Sequence, residues 1–461
     1  MKHIITLFIG VASLFICGCH RSSETTGSAG STPTFTLTVS EDTSFRNLPE
    51  LMSFVHAVSQ GKWIMFSGRT NGFHGFGVNQ NFPKRLADSL IYVYDPAIQR
   101  LYTMEIPSYG GDTGNVFLCT NLASTQQGGY LYACGGYGVT NDTNVSANKT
   151  YSYFMRMQLD NAIEAVMTNN PAKFKKAINW GKSDLVRATG GELYCMPDGR
   201  FYMNLGHNFE GTYAGTNSIQ RYLDTIKLFN LTVNGFNGVN SLTLLPAGII
   251  TDGLPDTTTQ FHRRDLVVAP SVLADGSSIG LAIYGGVFTY TPGGIQSAGN
   301  PFSHPIYVDY SKNPSYRVDS YNQWTNIYST AFVSMYDSSS KSMMTSLLGG
   351  IGDSQANFSA ANWTKVISTN IRSFANNKDT TMLLANPDSL PGYIGAEAVF
   401  IPHPGITYYN ANYKILNYAA LTDGQVIGYI YGGIQSDGPS PNSASKSTHA
   451  SNKVYKVVIH K

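Results

Sequence analysis

The chain has 461 residues, with 31 Lys+Arg against 29 Asp+Glu and a formal net charge of +2 at pH 7. Charged residues make up only 13% of it, so it lacks the basic face that nucleic-acid binding requires. The length suits either two or three ordinary domains or one large repeat architecture.

Lys2 and His3 give a short basic start, and 4–16 is an apolar stretch too short to span a bilayer and remain as an anchor. It runs into Leu14-Phe15-Ile16-Cys17-Gly18-Cys19, which resembles the lipobox of bacterial lipoproteins. The resemblance implies a signal peptide over 1–18 and acylation of Cys19 as the new N-terminus. His20 replaces the aspartate that serves that family as an inner-membrane retention signal, which implies the outer membrane. Residues 19–33, rich in Ser, Thr and Gly, read as a flexible tether, and 34–461 as the folded domain.

Within that domain a glycine recurs after a short apolar run: MFSGR (Gly68), YACGGY (Gly136), MNLGHN (Gly206), AIYGGV (Gly286), SLLGGI (Gly350) and YIYGGI (Gly433). Spacings of about 64–83 residues mark a repeat architecture with insertions in its loops. Alternating apolar residues rich in Val, Ile and Tyr predict four strands per repeat. The first repeat takes 52–58, 62–67, 89–94 and 101–106, with Asp95-Pro96 as turn chemistry. The second takes 116–122, 130–134, 151–159 and 177–180, and two short helices, 160–167 and 170–175, interrupt it. The third takes 191–196, 200–205, 225–233 and 241–249, with a hairpin turn at Pro197-Asp198-Gly199. The fourth takes 265–273, 279–284, 305–310 and 316–320; the fifth takes 329–336, 342–348, 365–374 and 381–385. The sixth has only 396–401, 425–431 and 453–459, whereas 34–39 is a spare strand at the front of the domain.

These features resemble the kelch β-propellers and the central domain of galactose oxidase. The resemblance rests on Gly135-Gly136, Gly285-Gly286, Gly349-Gly350 and Gly432-Gly433, and on Ile91-Tyr92-Val93-Tyr94-Asp95-Pro96 as a third strand. Blades one and three carry Ser67-Gly68 and Leu205-Gly206 instead of the doublet, and Trp180 is the best candidate for the family's fourth-strand tryptophan. The expected fold is all-β: a six-bladed kelch-like propeller in which the N-terminal strand closes the last blade. In such a ring, the loops after the glycines and those leading into each first strand share one face around a central channel. That face would collect Arg69, Asn71, His74, Arg187, His207, Asn208, His262, Arg263, Arg264, Asp265, Asp353, Glu397, Gln435 and Asp437. The candidate ligand-binding residues are Arg69, His74, Arg187, His207, Arg263, Arg264, Asp265, Asp353 and Glu397. Arginine forks hold carboxylates or phosphates at two points, so an acidic sugar or a chain terminus would suit them; the alternative is a solvated rim of local ion pairs.

A simple hairpin centred on Gln126-Gln127 would set Cys119 opposite Cys134, as a disulfide or a buried thiol pair, and leave Cys195 packed alone. Trp324 and Trp363 either stack on sugars or fill the space between blades. The Asn-X-Ser/Thr triplets at Asn141, Asn144 and Asn148 read as a polar loop. His207, His262 and Tyr137 do not match a copper-oxidase motif, and the scattered histidines argue against a metal cluster, so no metal or cofactor is expected. The expected role is a membrane-anchored envelope module that binds a glycan or a protein partner. The alternative is a carbohydrate-active hydrolase, lyase or sugar isomerase using Asp265, Asp353 and Glu397 with the arginines.

Overall fold

The computed structural model describes residues 32–75, 81–138, 147–212, 218–234, 240–290, 300–310, 315–326, 328–352, 362–384, 388–440 and 447–461. The lipobox with Cys19, most of the tether, Asn141, Asn144 and Asp353 lie outside the described residues.

The fold is all-β and propeller-like, built from antiparallel meanders. Val55–Ser59, Lys62–Phe66, Leu90–Asp95 and Arg100–Glu105 pair in that order. Thr120–Gln127, Tyr130–Gly138, Tyr153–Gln158 and Ile178–Lys182 repeat the pattern. So do Glu192–Cys195, Phe201–Asn204, Ile226–Val233 and Asn240–Ile250, and Val267–Val272, Ile279–Tyr284, Ile306–Asp309 and Ser315–Val318. Next come Phe332–Asp337, Ser342–Ile351, Trp363–Ser373 and Thr380–Leu383. The last meander, Val399–Pro402, Gln425–Tyr431 and Val454–His460, gains Thr36–Glu41 as its fourth strand, from Thr36 opposite His460 to Glu41 opposite Tyr455. The spare strand thus pairs where the sequence predicts.

Burial is graded across each meander and explains the strand sequences. Val267–Val272 and Ile279–Tyr284 are buried at every residue, so they read as continuous apolar runs. The fourth strands Arg100–Glu105 and Ser315–Val318 are mostly half-buried or exposed and carry polar residues. The core lies between successive meanders. Val55, Ile64 and Ile91 of the first pack with Leu131 and Met155 of the second, and Val333 and Met344 of the fifth pack with Ile427, Ile430 and Val457 of the sixth. Trp63 and Tyr94 of the first meander cluster with Tyr431 and Val454 of the last, which joins the two ends of the described chain.

The two predicted helices are present as Leu159–Met167 and Pro171–Lys176, between the third and fourth strands of the second meander. Gln158 and Asn170 cap them by accepting the N–H groups of Asn161 and Lys173. The expected facing of the cysteines is not met. The hairpin turns at Gly128-Gly129, with Gln127 opposite Tyr130, so Ala123 stands opposite Cys134 and Cys119 falls before the strand. Cys119, Cys134 and Cys195 are buried free thiols. Trp363 is buried, as a packing residue would be.

Candidate functional site

Four of the six glycine marks are inter-meander contacts. Gly68 donates its N–H to Cys119 O at 2.8 Å, Gly136 to Ala188 O at 2.9 Å, Gly206 to Arg263 O at 2.9 Å and Gly433 to Leu51 O at 2.8 Å. A Cβ on Gly433 would lie 2.4 Å from Ala396 O, and its φ is +78°, so both space and conformation require glycine.

Two residues beyond each of those acceptors is a residue that lines the channel. Ser53, Asn121, Asp265 and Glu397 hold φ of 51°, 54°, 51° and 55°, a left-handed conformation that side chains seldom adopt. Gly190 holds the corresponding place at 64°. Their backbones are linked in sequence: Ser53 N–H donates to Glu397 O at 3.4 Å, Asn121 to Ser53 O at 3.3 Å, Asp265 to Gly190 O at 2.6 Å and Glu397 to Ser329 O at 3.1 Å. Left-handed non-glycine residues kept in place by their surroundings concentrate at functional sites.

This waist separates two cavities. Ser53, Asn121, Asp265 and Glu397 line both, one of about 160 Å³ and one of about 250 Å³. The smaller chamber is lined by the polar residues Arg69, His74, Tyr137, His207 and Arg264 and by apolar ones, among them Met52, Phe288, Ile351 and Ile434. Successive repeats supply equivalent positions: the residue after the glycine (Arg69, His207) bridges the residue before the waist (Met52, Thr189). The larger cavity carries His56, Glu192 and Lys414.

At the waist, Glu397 Oε2 accepts from Ser53 Oγ at 2.9 Å and from Asn121 Nδ2 at 3.2 Å. Burial pushes the Glu397 carboxyl up to about 8, assisted by the Asp265 charge and opposed by those hydrogen bonds. Asp265 is paired with Arg264 Nη1; burial still raises its carboxyl above the ordinary range. Arg264 Nε also donates to Tyr222 Oη at 3.1 Å, and its guanidinium lies 5.3 Å from the Phe288 ring centre. Below the waist, burial and then Glu397 push Glu192 up to about 8. Burial lowers Lys414 to about 8, and burial with the Lys414 charge lowers His56 to about 3.

On the chamber rim, His74 lies between Phe73 and Phe82, at ring separations of 4.9 and 4.7 Å, and burial lowers it to about 4. His207 Nδ1 faces Gln220 Nε2 at 2.8 Å, and burial lowers its ring well below the usual histidine range. Arg69 donates to Asn71 Oδ1 at 3.0 Å and lies over Phe82, and burial lowers it to about 10.

The structure therefore brings together Arg69, His74, His207, Arg264, Asp265 and Glu397 of the predicted set. Arg263 lies apart: it is fully buried and donates to the carbonyls of Gln260, Gly285 and His304, so it holds loops rather than facing the chamber. Arg187 pairs with Asp184 at 2.8 Å on a half-exposed surface. Asp353 is outside the described residues. Sequence reasoning missed Ser53, Asn121, His56, Glu192 and Lys414. Ser53 and Asn121 stand at the same distance before Gly68 and Gly136, and that shared offset is the signal that could have found them.

No family model matches the chain, and no curated protein matches it. Among solved structures, the chain is similar to one titled "Structure of YjhT", at 12% identity and a TM-score of 0.44, over 88% of this chain and 99% of that one.

Proposed function

We propose that the chain is a six-bladed kelch-like propeller, tethered to the outer membrane through lipidated Cys19, whose channel chamber binds a glycan unit. The six-bladed reading is supported by the apolar clusters between successive meanders and by the Gly433 to Leu51 contact between the last and the first. The binding reading rests on one observation: the chamber of about 160 Å³ is lined by Arg264, Asp265 and Glu397 together with apolar side chains, Phe288 among them. Saccharides present hydroxyls at their edges and C–H groups on their faces, and a mostly apolar concavity with a few placed polar groups meets both. The size favours a single sugar residue or chain end over a flat protein surface. Arg264 gives an acidic sugar a charged partner.

A second reading, carbohydrate-active catalysis, is favoured by Glu397. A carboxyl pushed up to about 8 beside the carboxyl of Asp265 is a general acid at neutral pH.

Calorimetry of the chain lacking 1–19 against neutral and acidic saccharides tests both. Binding that is lost in Arg264→Gln while the native circular dichroism is retained supports the chamber. Binding that survives Arg264→Gln, or an absence of binding, overturns it. New products lost in Glu397→Gln establish the catalytic reading. A Cys19→Ala protein that stays in the membrane fraction overturns the anchor.

A further inference from the structure

A second constellation lies outside the channel lining. Asp224, Asp256 and His262 each offer a ligand atom within 4.8 Å of the other two. They come from two segments: Asp224 follows the strand Ile219–Tyr222, and the other two belong to the loop that leads to Arg264. His262 Nδ1 is 3.0 Å from Asp224 Oδ1 and 3.2 Å from Oδ2.

One atom of this group that faces the others, Asp224 Oδ1, is sealed from solvent without a hydrogen-bond partner. His262 itself is only 4% exposed. Buried polar atoms are nearly always satisfied in native proteins, and a bound ion is one way this is done. Besides its contact with Asp224, the same imidazole has the exposed carboxylate of Asp256 within 4.8 Å.

We propose that Asp224, Asp256 and His262 hold a divalent transition-metal cation, with Zn²⁺ as the representative. Imidazole with two carboxylates is a donor set that Zn²⁺ accepts, and its two negative charges match the ion. Ligand atoms about 2.1 Å from one tetrahedral ion stand roughly 3.4 Å apart, so His262 Nδ1 and Asp224 Oδ1, 3.0 Å apart, need to open by only a few tenths of an ångström. The exposed Asp256 side chain closes the remaining gap by rotation. The site also has a structural consequence. The Tyr222 ring lies 3.8 Å from that of His262, and its hydroxyl accepts from Arg264 Nε at 3.1 Å. The cation therefore braces the wall behind the chamber arginine, whatever the chamber binds.

The test is a Co²⁺ titration of the chelator-stripped chain, read by visible absorption, with Zn²⁺ calorimetry beside it. One equivalent of Co²⁺ with ligand-field bands, displaced by Zn²⁺, is expected. Asp256→Asn, at an exposed position, keeps the wild-type circular dichroism and loses about tenfold or more in affinity; His262→Gln loses the bands. Should His262→Gln fail to fold, Asp256→Asn still decides. Asp423→Asn, which alters the surface pair 3.7 Å from His460, leaves the titration unchanged. A folded chain without Co²⁺ bands overturns the site. So does Asp256→Asn with undiminished affinity, or a loss in Asp423→Asn equal to that in Asp256→Asn.

Discussion

Gly433 donates its backbone N–H to Leu51 O at 2.8 Å, and so ties the last meander to the first by the contact that Gly136 makes with Ala188. The two ends of the described chain meet a second time in one sheet, where Leu37 stands opposite Ile459.

Leu37 is 1% exposed in the core shared by the last two meanders. Leu37→Ala should cost about 2–5 kcal/mol, the range for emptying a buried leucine site. Deleting Thr36–Glu41 should cost more, since it also strips the hydrogen bonds from the edge of Val454–His460. Thermal unfolding checks both; an unchanged midpoint after the deletion refutes this closure.

Gly433→Ala should lower the melting temperature sharply, because its Cβ would meet Ala396 O at 2.4 Å and its φ is +78°. Gly253, at φ +66° with nothing within 4 Å of a Cβ, is the matched control. Gly253→Ala should cost only about 1 kcal/mol of conformational strain.

The Glu397 contribution to stability should fall as pH rises from about 4.5 to about 8, against the opposite contribution of the buried histidines His56, His74 and His207 below about 6.5. The carboxyl is pushed up from 4.5 to about 8 in the fold, so across that window the native state holds a proton the unfolded chain has lost. Protein that binds more protons folded than unfolded is weakened by raising the pH. The loss is absent below the unfolded value and complete above the folded one. Relative to wild type, Glu397→Gln should gain stability with rising pH by an amount of order a few kcal/mol across that range, read from denaturant melts. An identical slope in the variant overturns the assignment.

Arg264→Ala should destabilise the fold by about 3–5 kcal/mol, because it leaves the Asp265 carboxylate enclosed without its partner. Arg264→Ala with Asp265→Asn should recover part of that loss. Asp265→Asn alone completes the cycle; an effect of that change that is the same with and without Arg264 would show that the pair is not coupled.

Native protein should not react with a thiol reagent at Cys119, Cys134 or Cys195, and all three should react after denaturation without reductant. Release only after reduction would restore the disulfide that the register argues against.

The repeat was legible because its cause is local and backbone-driven. A glycine is forced wherever one meander touches the next, so Gly68, Gly136, Gly206 and Gly433 punctuate the sequence whatever surrounds them. The spare strand at 34–39 was legible by the same counting. The waist was less so. Ser53 and Asn121 are ordinary polar residues in sequence, and only their left-handed backbone sets them at the channel. Asp265 and Glu397 stood out because charge is scarce. Arg263 shares that scarcity and a chain position beside Arg264, yet neighbouring residues on a strand approach face opposite ways, and it serves the carbonyls of Gly285 and His304. The hairpin centre was misplaced by two residues because Gln126-Gln127 and Gly128-Gly129 both read as polar turns in sequence, and of these Gly128 takes the positive φ of the turn.

The backbone links from Glu397 to Ser53 and from Ser53 to Asn121 have a mechanical meaning. Main-chain bonds run from Ser329 through Glu397 and Ser53 to Asn121, so this arc of the waist cannot spread without breaking them. Along that arc the bore is then set by side chains. Substitution of Asn121 or Ser53 would retune what passes from one cavity to the other, as changing a mesh changes a sieve, while the frame stays as it is.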